Sequence, residues 1–314
     1  MADELTKILF ISGQGRSGST LLSRFLGSLP NLIEIGEVSY IWERGLIENH
    51  LCGCGSPFTE CPFWQEVFNV AFGGFAHVDA TWMSSVNKQI RRSRNTIKFS
   101  TTKDTYGGEY NAFRANMRKL YLAIRHVSGC QIIVDSSKRP TYLFTLRDLD
   151  QIQFYALHLV RDSRAVAYSW QRKRRRPEVM GAETHMIQMQ PTKVSRMWLM
   201  WNVISELSRL FTDVPYIRIY YEKFMKEPVE TVVDILSWMG ESTIGVDLDS
   251  LVDNTLERHT VSGNPMRFQK EIKIKADMEW EAKMNISDRR LVTLMTYPML
   301  LRYGYRKMRS KPLD

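Results

Sequence analysis

The hydrophobic pattern opens with a short apolar run, Leu9-Phe10-Ile11-Ser12, closed by Gly13. A run of this length without polar alternation reads as a strand buried on both faces. From Gly18 the period changes. Leu21, Leu22, Phe25, Leu26 and Leu29 share one helical face, and Pro30-Asn31 ends the helix. Further strand-like runs follow at Gln131-Ile132-Ile133-Val134, ending at Asp135, at residues 154–160, ending at Arg161, and at residues 216–221. The last run leads into a helix predicted from Glu227-Pro228 to Gly240. Short apolar strands alternating with helices predict an α/β sandwich of three layers around a central parallel sheet.

Residues 31–129 show no comparable buried strand. They carry a Cys/Gly loop at 52–61, a helix predicted around 79–94 and a longer one around 109–126. A crossover between parallel strands needs only one helix, so this stretch reads as a largely helical insertion within a single domain spanning 1–314. Insertions on such scaffolds commonly shape a substrate site, and the loops at 52–64 and 106–111 are expected to form part of its mouth. Residues 287–303 are predicted to be mostly helical.

Between the first strand and the first helix stands Gly13-Gln14-Gly15-Arg16-Ser17-Gly18-Ser19-Thr20. The glycines and Thr20 match the register of a P-loop, with Ser19 where that pattern has lysine. Backbone N–H groups and a helix N-terminus still converge on an anion there. The missing ammonium argues against a kinase-like grip on a nucleoside triphosphate, and Arg16 supplies a different cation. A second anchor, Arg161-Asp162-Ser163-Arg164, lies at a strand's carboxyl end, where open sheets bind ligands. Ser169 follows two helical turns later, so the pair is a candidate for a second phosphate.

Composition agrees with an anionic ligand. The 314 residues include 43 Lys+Arg against 34 Asp+Glu, a formal net charge of +9. Four cysteines are too few for a disulfide-built scaffold. No apolar stretch reaches the ~20 residues of a membrane span, and no secretory signal is read at the start. A cytoplasmic location is therefore expected. No groove-reading motif accompanies the basic residues, so nucleic acid is not an expected partner.

The two anchors resemble those of sulfotransferases that use 3′-phosphoadenosine-5′-phosphosulfate (PAPS), in the bacterial and tyrosyl-protein branch. The loop at 13–22 resembles that family's 5′-phosphosulfate loop, and the segment at 160–169 its 3′-phosphate segment. Gly36-Glu37 is similar to the Gly-Glu whose glutamate is the base, although Ile35 stands where the tyrosyl-protein enzymes have cysteine. Val134-Asp135-Ser136-Ser137-Lys138 resembles a segment carrying a catalytic cation. Tyr220-Tyr221-Glu222 and Ser262-Gly263-Asn264-Pro265-Met266-Arg267 resemble a nucleotide-contacting stretch and a cofactor-closing loop.

The resemblance implies a P-loop-like fold and transfer of a sulfuryl group from PAPS to an acceptor hydroxyl, of a carbohydrate or glycolipid. It implies Glu37 as base, Arg16 and Lys138 as cations on the sulfate and bridging oxygen, and Ser262 as a hydrogen-bond donor to the leaving phosphate. Gly15, Arg16, Ser17, Gly18, Ser19, Thr20, Arg161, Ser169, Lys173, Tyr221, Ser262, Gly263, Asn264 and Arg267 become the cofactor-binding set. The charge count of sulfuryl transfer requires no divalent metal. A silent nucleotide-binding module remains an alternative if Glu37 and Lys138 lie far from the glycine loop, as does a P-loop kinase. His158, inside a strand, is expected to be packed rather than basic.

Two features stand apart. Residues 172–176 are five consecutive cations, of which Arg172 and Lys173 are placed to reach a 3′-phosphate and the rest to attract an anionic acceptor. His50, Cys52, Cys54 and Cys61 form a permitted zinc ligand set, but the C-x-C spacing is tighter than usual. A Gly-rich loop of free or redox-variable thiols is the expectation. The aromatic residues Trp42, Phe63, Trp64, Trp82 and Phe99 are expected in the core.

Overall fold

A computed structural model describes residues 5–101, 107–180, 184–252, 257–269, 271, 274 and 276–305. Five strands, β1 (Thr6–Ser12), β2 (Leu32–Gly36), β3 (Ile132–Lys138), β4 (Ile152–Val160) and β5 (Tyr216–Tyr220), form one sheet in the order β2-β3-β1-β4-β5. Every pairing is parallel. The helices are α1 (Ser19–Leu26), α2 (Pro62–Phe72), α3 (Ala80–Ile90), α4 (Thr96–Thr101), α5 (Gly108–Ser128), α6 (Pro140–Leu146), α7 (Ser163–Gln171), α8 (Pro191–Phe211), α9 (Tyr221–Lys226), α10 (Pro228–Met239), α11 (Leu248–Leu251), α12 (Glu279–Lys283) and α13 (Ile286–Arg302).

The pleat divides the core. Ile8, Phe10, Ile133, Phe154 and Ala156 face a layer holding Trp42, Trp64, Phe113 and Tyr121. Leu9, Ile11, Ile132, Val134, Tyr155 and Leu157 face the opposite layer, which holds Leu22, Phe25, Phe224 and Ile235. Side chains on alternate faces, both apolar, are what unbroken hydrophobic strand runs encode. The expected aromatics are in the core: Trp42, Trp64 and Phe99 are fully buried, and Phe63 and Trp82 pack against them.

Two expectations need correction. Residues 32–36, read as part of a strandless insertion, are β2 at the sheet edge. Glu34 breaks that apolar run and hid it. The carboxylate is buried at 3% exposure, where it meets Arg258 at 2.7 Å and accepts from Ser23 at 3.1 Å. A buried charge is tolerated when paired and hydrogen-bonded in this way. The inserted segment therefore begins after Gly36. The helix expected at 79–94 ends at Ile90, followed by a separate 3₁₀ turn, Ser93–Asn95.

His158 is packed as expected, with no exposed surface. Its Nε2 lies 2.8 Å from Asn202 Oδ1 and its Nδ1 2.7 Å from the Tyr216 hydroxyl. Asn202 Nδ2 donates to the Trp198 carbonyl, so Oδ1 is the acceptor. The neutral ring then donates from Nε2 and accepts at Nδ1. Burial pushes its pKa down to about 4. A histidine held neutral in the fold stabilises it fully above the ordinary value near 6.5, and that contribution disappears as pH falls toward 4. Denaturant titrations between pH 7 and pH 4 should lose about 3 kcal/mol through this group. The same acid limb in His158→Gln would show that the proton uptake lies elsewhere.

Candidate active site

Because all five strands run the same way, their carboxyl ends meet at one edge, the position where parallel sheets bind ligands. Each end delivers a different group. β1 runs into the glycine loop, β2 is followed by Glu37, β3 ends on Lys138, β4 is followed by Arg161 and β5 by Tyr221. These groups line one cavity of about 400 Å³, a volume typical of small-molecule sites.

The glycine loop is built for an anion. Helix α1 opens at Gly18 (φ 93°) with no side-chain cap, so its first N–H groups stay available. A Cβ on Gly18 would stand 2.5 Å from the Tyr221 ring, so glycine allows loop and ring to touch. Arg16 and Lys138 both hold left-handed backbones, at φ 75° and 68°. For non-glycine residues this costs on the order of 1–3 kcal/mol each, and such strain collects at functional sites.

Glu37 and Lys138 face each other, Nζ donating to Oε1 at 2.5 Å. Burial pushes the Glu37 carboxyl upward, but Lys138, Arg44 and Arg139 outweigh it, and the net effect is below the ordinary value. Glu37 is thus a carboxylate at neutral pH. Beneath the pair, fully buried Asp135 accepts from the Ser137 N–H at 2.9 Å and the Tyr121 hydroxyl at 2.7 Å. The Ser137 hydroxyl in turn accepts from the Ser39 N–H at 2.9 Å. This chain ties the strand carrying Lys138 to the turn after Glu37. Burial pushes Asp135 up to about 6.

Cations dominate the lining. Arg16, Arg44, Lys138, Arg139, Arg161, Arg174 and Arg176 stand against Glu37, Glu178 and Asp277. Neither Arg16 nor Arg174 has a carboxylate within ion-pair distance among the described residues. Burial, then repulsion from Arg174, lowers Arg16 to about 10. Arg161 lies over the Tyr221 ring at 4.2 Å and donates to the carbonyls of Arg16 and Asp277. Among the described residues, the buried atoms Arg161 Nε, Arg174 Nε, Ser17 Oγ and Gln14 Nε2 find no hydrogen-bond partner. Buried donors without acceptors, among like charges, fit a polyanionic ligand.

A sequence profile described as the sulfotransferase family matches residues 9–244. The chain belongs to the sulfotransferase family. Two solved structures share its fold. The sulfotransferase domain of the Synechococcus PCC 7002 olefin synthase is 16% identical at a TM-score of 0.53, over 97% of this chain and 96% of that one. The sulfotransferase domain of the curacin biosynthetic pathway is 18% identical at 0.51, over 94% and 98%. No curated protein sequence matches.

In this sulfotransferase the cavity gathers Gly15, Arg16, Gly18, Ser19, Thr20, Glu37, Lys138, Arg161, Ser169, Tyr221, Gly263 and Asn264 from the expected set. Ser17, Lys173, Ser262 and Arg267 are not in its lining. Lys173 points to solvent. Ser262 stands just behind, accepting from Arg44 at 2.6 Å, while its carbonyl accepts from the Glu37 N–H at 3.3 Å. Arg267 is buried and donates to the carbonyls of Thr260 and Leu51. Residues 52–64 do not line the cavity either, and Tyr106 lies outside the described residues.

Two other stretches contribute walls to this cavity. Tyr40 and Arg44 enter from the turns after β2, with Arg44 stacked on Tyr40 at 4.0 Å. Residues 172–180 and 184–189 lie side by side, Arg175 pairing with His185 and Met186 N–H donating to Arg174 O. The basic run is therefore one side of a flap, presenting Arg174, Arg176, Met186, Ile187 and Met189 to the cavity. No periodicity marks a flap closed by so few backbone bonds. The alternation of Arg174 and Arg176 inward with Arg175 outward was the available signal.

The loop geometry yields a test. Inorganic sulfate should raise the thermal midpoint of the wild-type protein. Gly18→Ala, which forces a Cβ into the Tyr221 ring, should lose most of that rise. An undiminished shift would place the anion site away from the loop.

Proposed function

We propose that this sulfotransferase uses PAPS as its donor and moves the sulfuryl group to an acceptor hydroxyl, of a carbohydrate or glycolipid. The observation that carries the reading is the Glu37–Lys138 pair at the cavity edge shared with the glycine loop. The same juxtaposition favours an enzyme over a silent binding module, and Ser19 in place of the P-loop lysine disfavours a kinase.

The donor's chemistry is an activated sulfuryl group on a phosphosulfate anhydride, with adenosine 3′,5′-bisphosphate (PAP) as leaving group. Residues 15–20 would hold the 5′ side through backbone N–H groups and hydroxyls, and Arg161 with Ser169 the 3′-phosphate. Glu37, already a carboxylate, takes the proton of the acceptor hydroxyl. Protonation removes its hold on Lys138. The freed ammonium, with Arg16, then faces the negative charge that builds on the leaving oxygen. The pair thus couples base and electrostatic stabiliser, and it needs no metal.

The flap bears on the acceptor. Met186, Ile187 and Met189 present apolar, adaptable surface beside Arg174 and Arg176. This mixture suits a hydroxyl carried on an amphipathic molecule, which supports the glycolipid class. The inserted segment contributes Tyr40 and Arg44 to the same opening, consistent with a role in acceptor choice.

Two measurements test the donor site. In calorimetry PAP should bind about 10–100-fold more tightly than AMP, the worth of one well-held phosphate; equal affinities would remove Arg161 and Ser169 from that role. Glu37→Gln should keep PAP affinity and lose about 10²–10⁴-fold in turnover. Undiminished turnover in that variant would move the base to another group.

A further inference from the structure

The loop set aside by the cavity has its own chemistry. Cys52, Cys54 and Cys61 converge with His259, and their four donor atoms all lie within 4.8 Å of one another. His50, the imidazole that sequence proximity favoured, instead lies 3.1 Å from Glu48. His259 lies 198 residues beyond Cys61 along the chain, which is why spacing did not reveal it.

We propose that Cys52, Cys54, Cys61 and His259 bind a structural zinc ion that staples the inserted segment to the loop over the active site. The donor set is three sulfurs and one imidazole nitrogen, the composition of closed structural zinc sites. Two of the six donor spacings have the lengths of a tetrahedron's edges. Ligands ~2.3 Å from a central ion stand ~3.8 Å apart for two sulfurs, and less for sulfur and nitrogen. Cys54 and Cys61 sulfurs are 3.7 Å apart, and Cys61 Sγ is 3.3 Å from His259 Nδ1. A disulfide would need ~2.05 Å and leave the third thiol stranded.

The surroundings hold these ligands in place. Residues 51–57 form a tight knuckle, Leu51 bridging to Pro57 and Cys52 N–H donating to Ser56 O at 2.8 Å. The His259 ring stacks on Phe63 at 4.7 Å and 8°, and its carbonyl accepts from Trp64 Nε1 at 3.0 Å. Gly53 N–H donates to Thr260 O at 3.0 Å. Zinc with three thiolates carries a net charge of −1. Arg267, a buried cation, donates to the carbonyls of Leu51 and Thr260, each adjacent to a ligand residue. Binding releases three thiol protons to solvent and changes no oxidation state.

None of the four residues lines the active-site cavity, so the role of the site is positional. The strand of chain that holds His259 continues to Val261, which donates to Ile35 O, and to Ser262, whose carbonyl accepts from Glu37 N–H. The ion would thereby fix the loop of Ser262, Gly263 and Asn264. The assignment stands on the four ligands alone and does not depend on the sulfuryl-transfer reading.

Elemental analysis of the full chain, purified under reducing conditions, should find one zinc per molecule, released by a mercurial thiol reagent. Cobalt(II) alone, added to the metal-free wild-type chain, should give thiolate charge-transfer absorption and the intense visible bands of a tetrahedral ion. His259→Cys should retain the metal as a four-cysteine site, and Cys61→Ser should lose it. Substoichiometric zinc with all thiols titrating free, six-coordinate cobalt spectra, a Cys54–Cys61 disulfide in freshly isolated protein, or full zinc content in Cys61→Ser would each overturn the assignment.

Discussion

Everything at the active edge depends on one constraint: five parallel strands must end on the same side. That arrangement puts a glycine loop, a glutamate, a lysine, an arginine and a tyrosine within reach of one cavity, from five separate stretches of chain. It also concentrates positive charge. Arginines that face one another in a partly buried space repel, and burial with that repulsion lowers Arg16 to about 10. The fold tolerates the arrangement because its core layers lie on the faces of the sheet, away from the edge. An anion of several charges would relieve this repulsion.

Buried hydrogen bonds keep the Glu37–Lys138 pair in place. Asp135 and Ser137 link the end of β3 to the turn after β2. Gly36 lets the Ser262 carbonyl approach, since a Cβ there would stand 2.7 Å from that oxygen. Loop 262–264 therefore leans on the backbone beside Glu37, and the same loop is anchored farther back by Arg267. A change at the thiol cluster would be transmitted to Glu37 through this short path, without any contact between the cluster and a ligand.

Much of this was legible in the sequence. Strands and helices with uninterrupted periodicity, such as residues 154–160 and the helix from Gly18, declared themselves. The glycine loop, Glu37, Lys138, Arg161 and Ser169 were named from local pattern, and they do share one cavity. What failed to show were features made by distant chain. Glu34 disguised a strand because its partner, Arg258, is remote. His259 joins Cys61 across the same kind of gap. The charge run at 172–176 gave no sign that pairing with residues 184–186 turns Arg174 and Arg176 inward.

The central claim is that the strand-end cations form the seat of a doubly phosphorylated nucleotide. A crystal structure of the protein with PAP tests it most directly. The 5′-phosphate is expected on the N–H groups of residues 15–20 and the 3′-phosphate between Arg161 and Ser169, with the sulfate end open toward Glu37 and Lys138. A nucleotide bound in another cavity, or one whose 3′-phosphate projects into solvent, would contradict it.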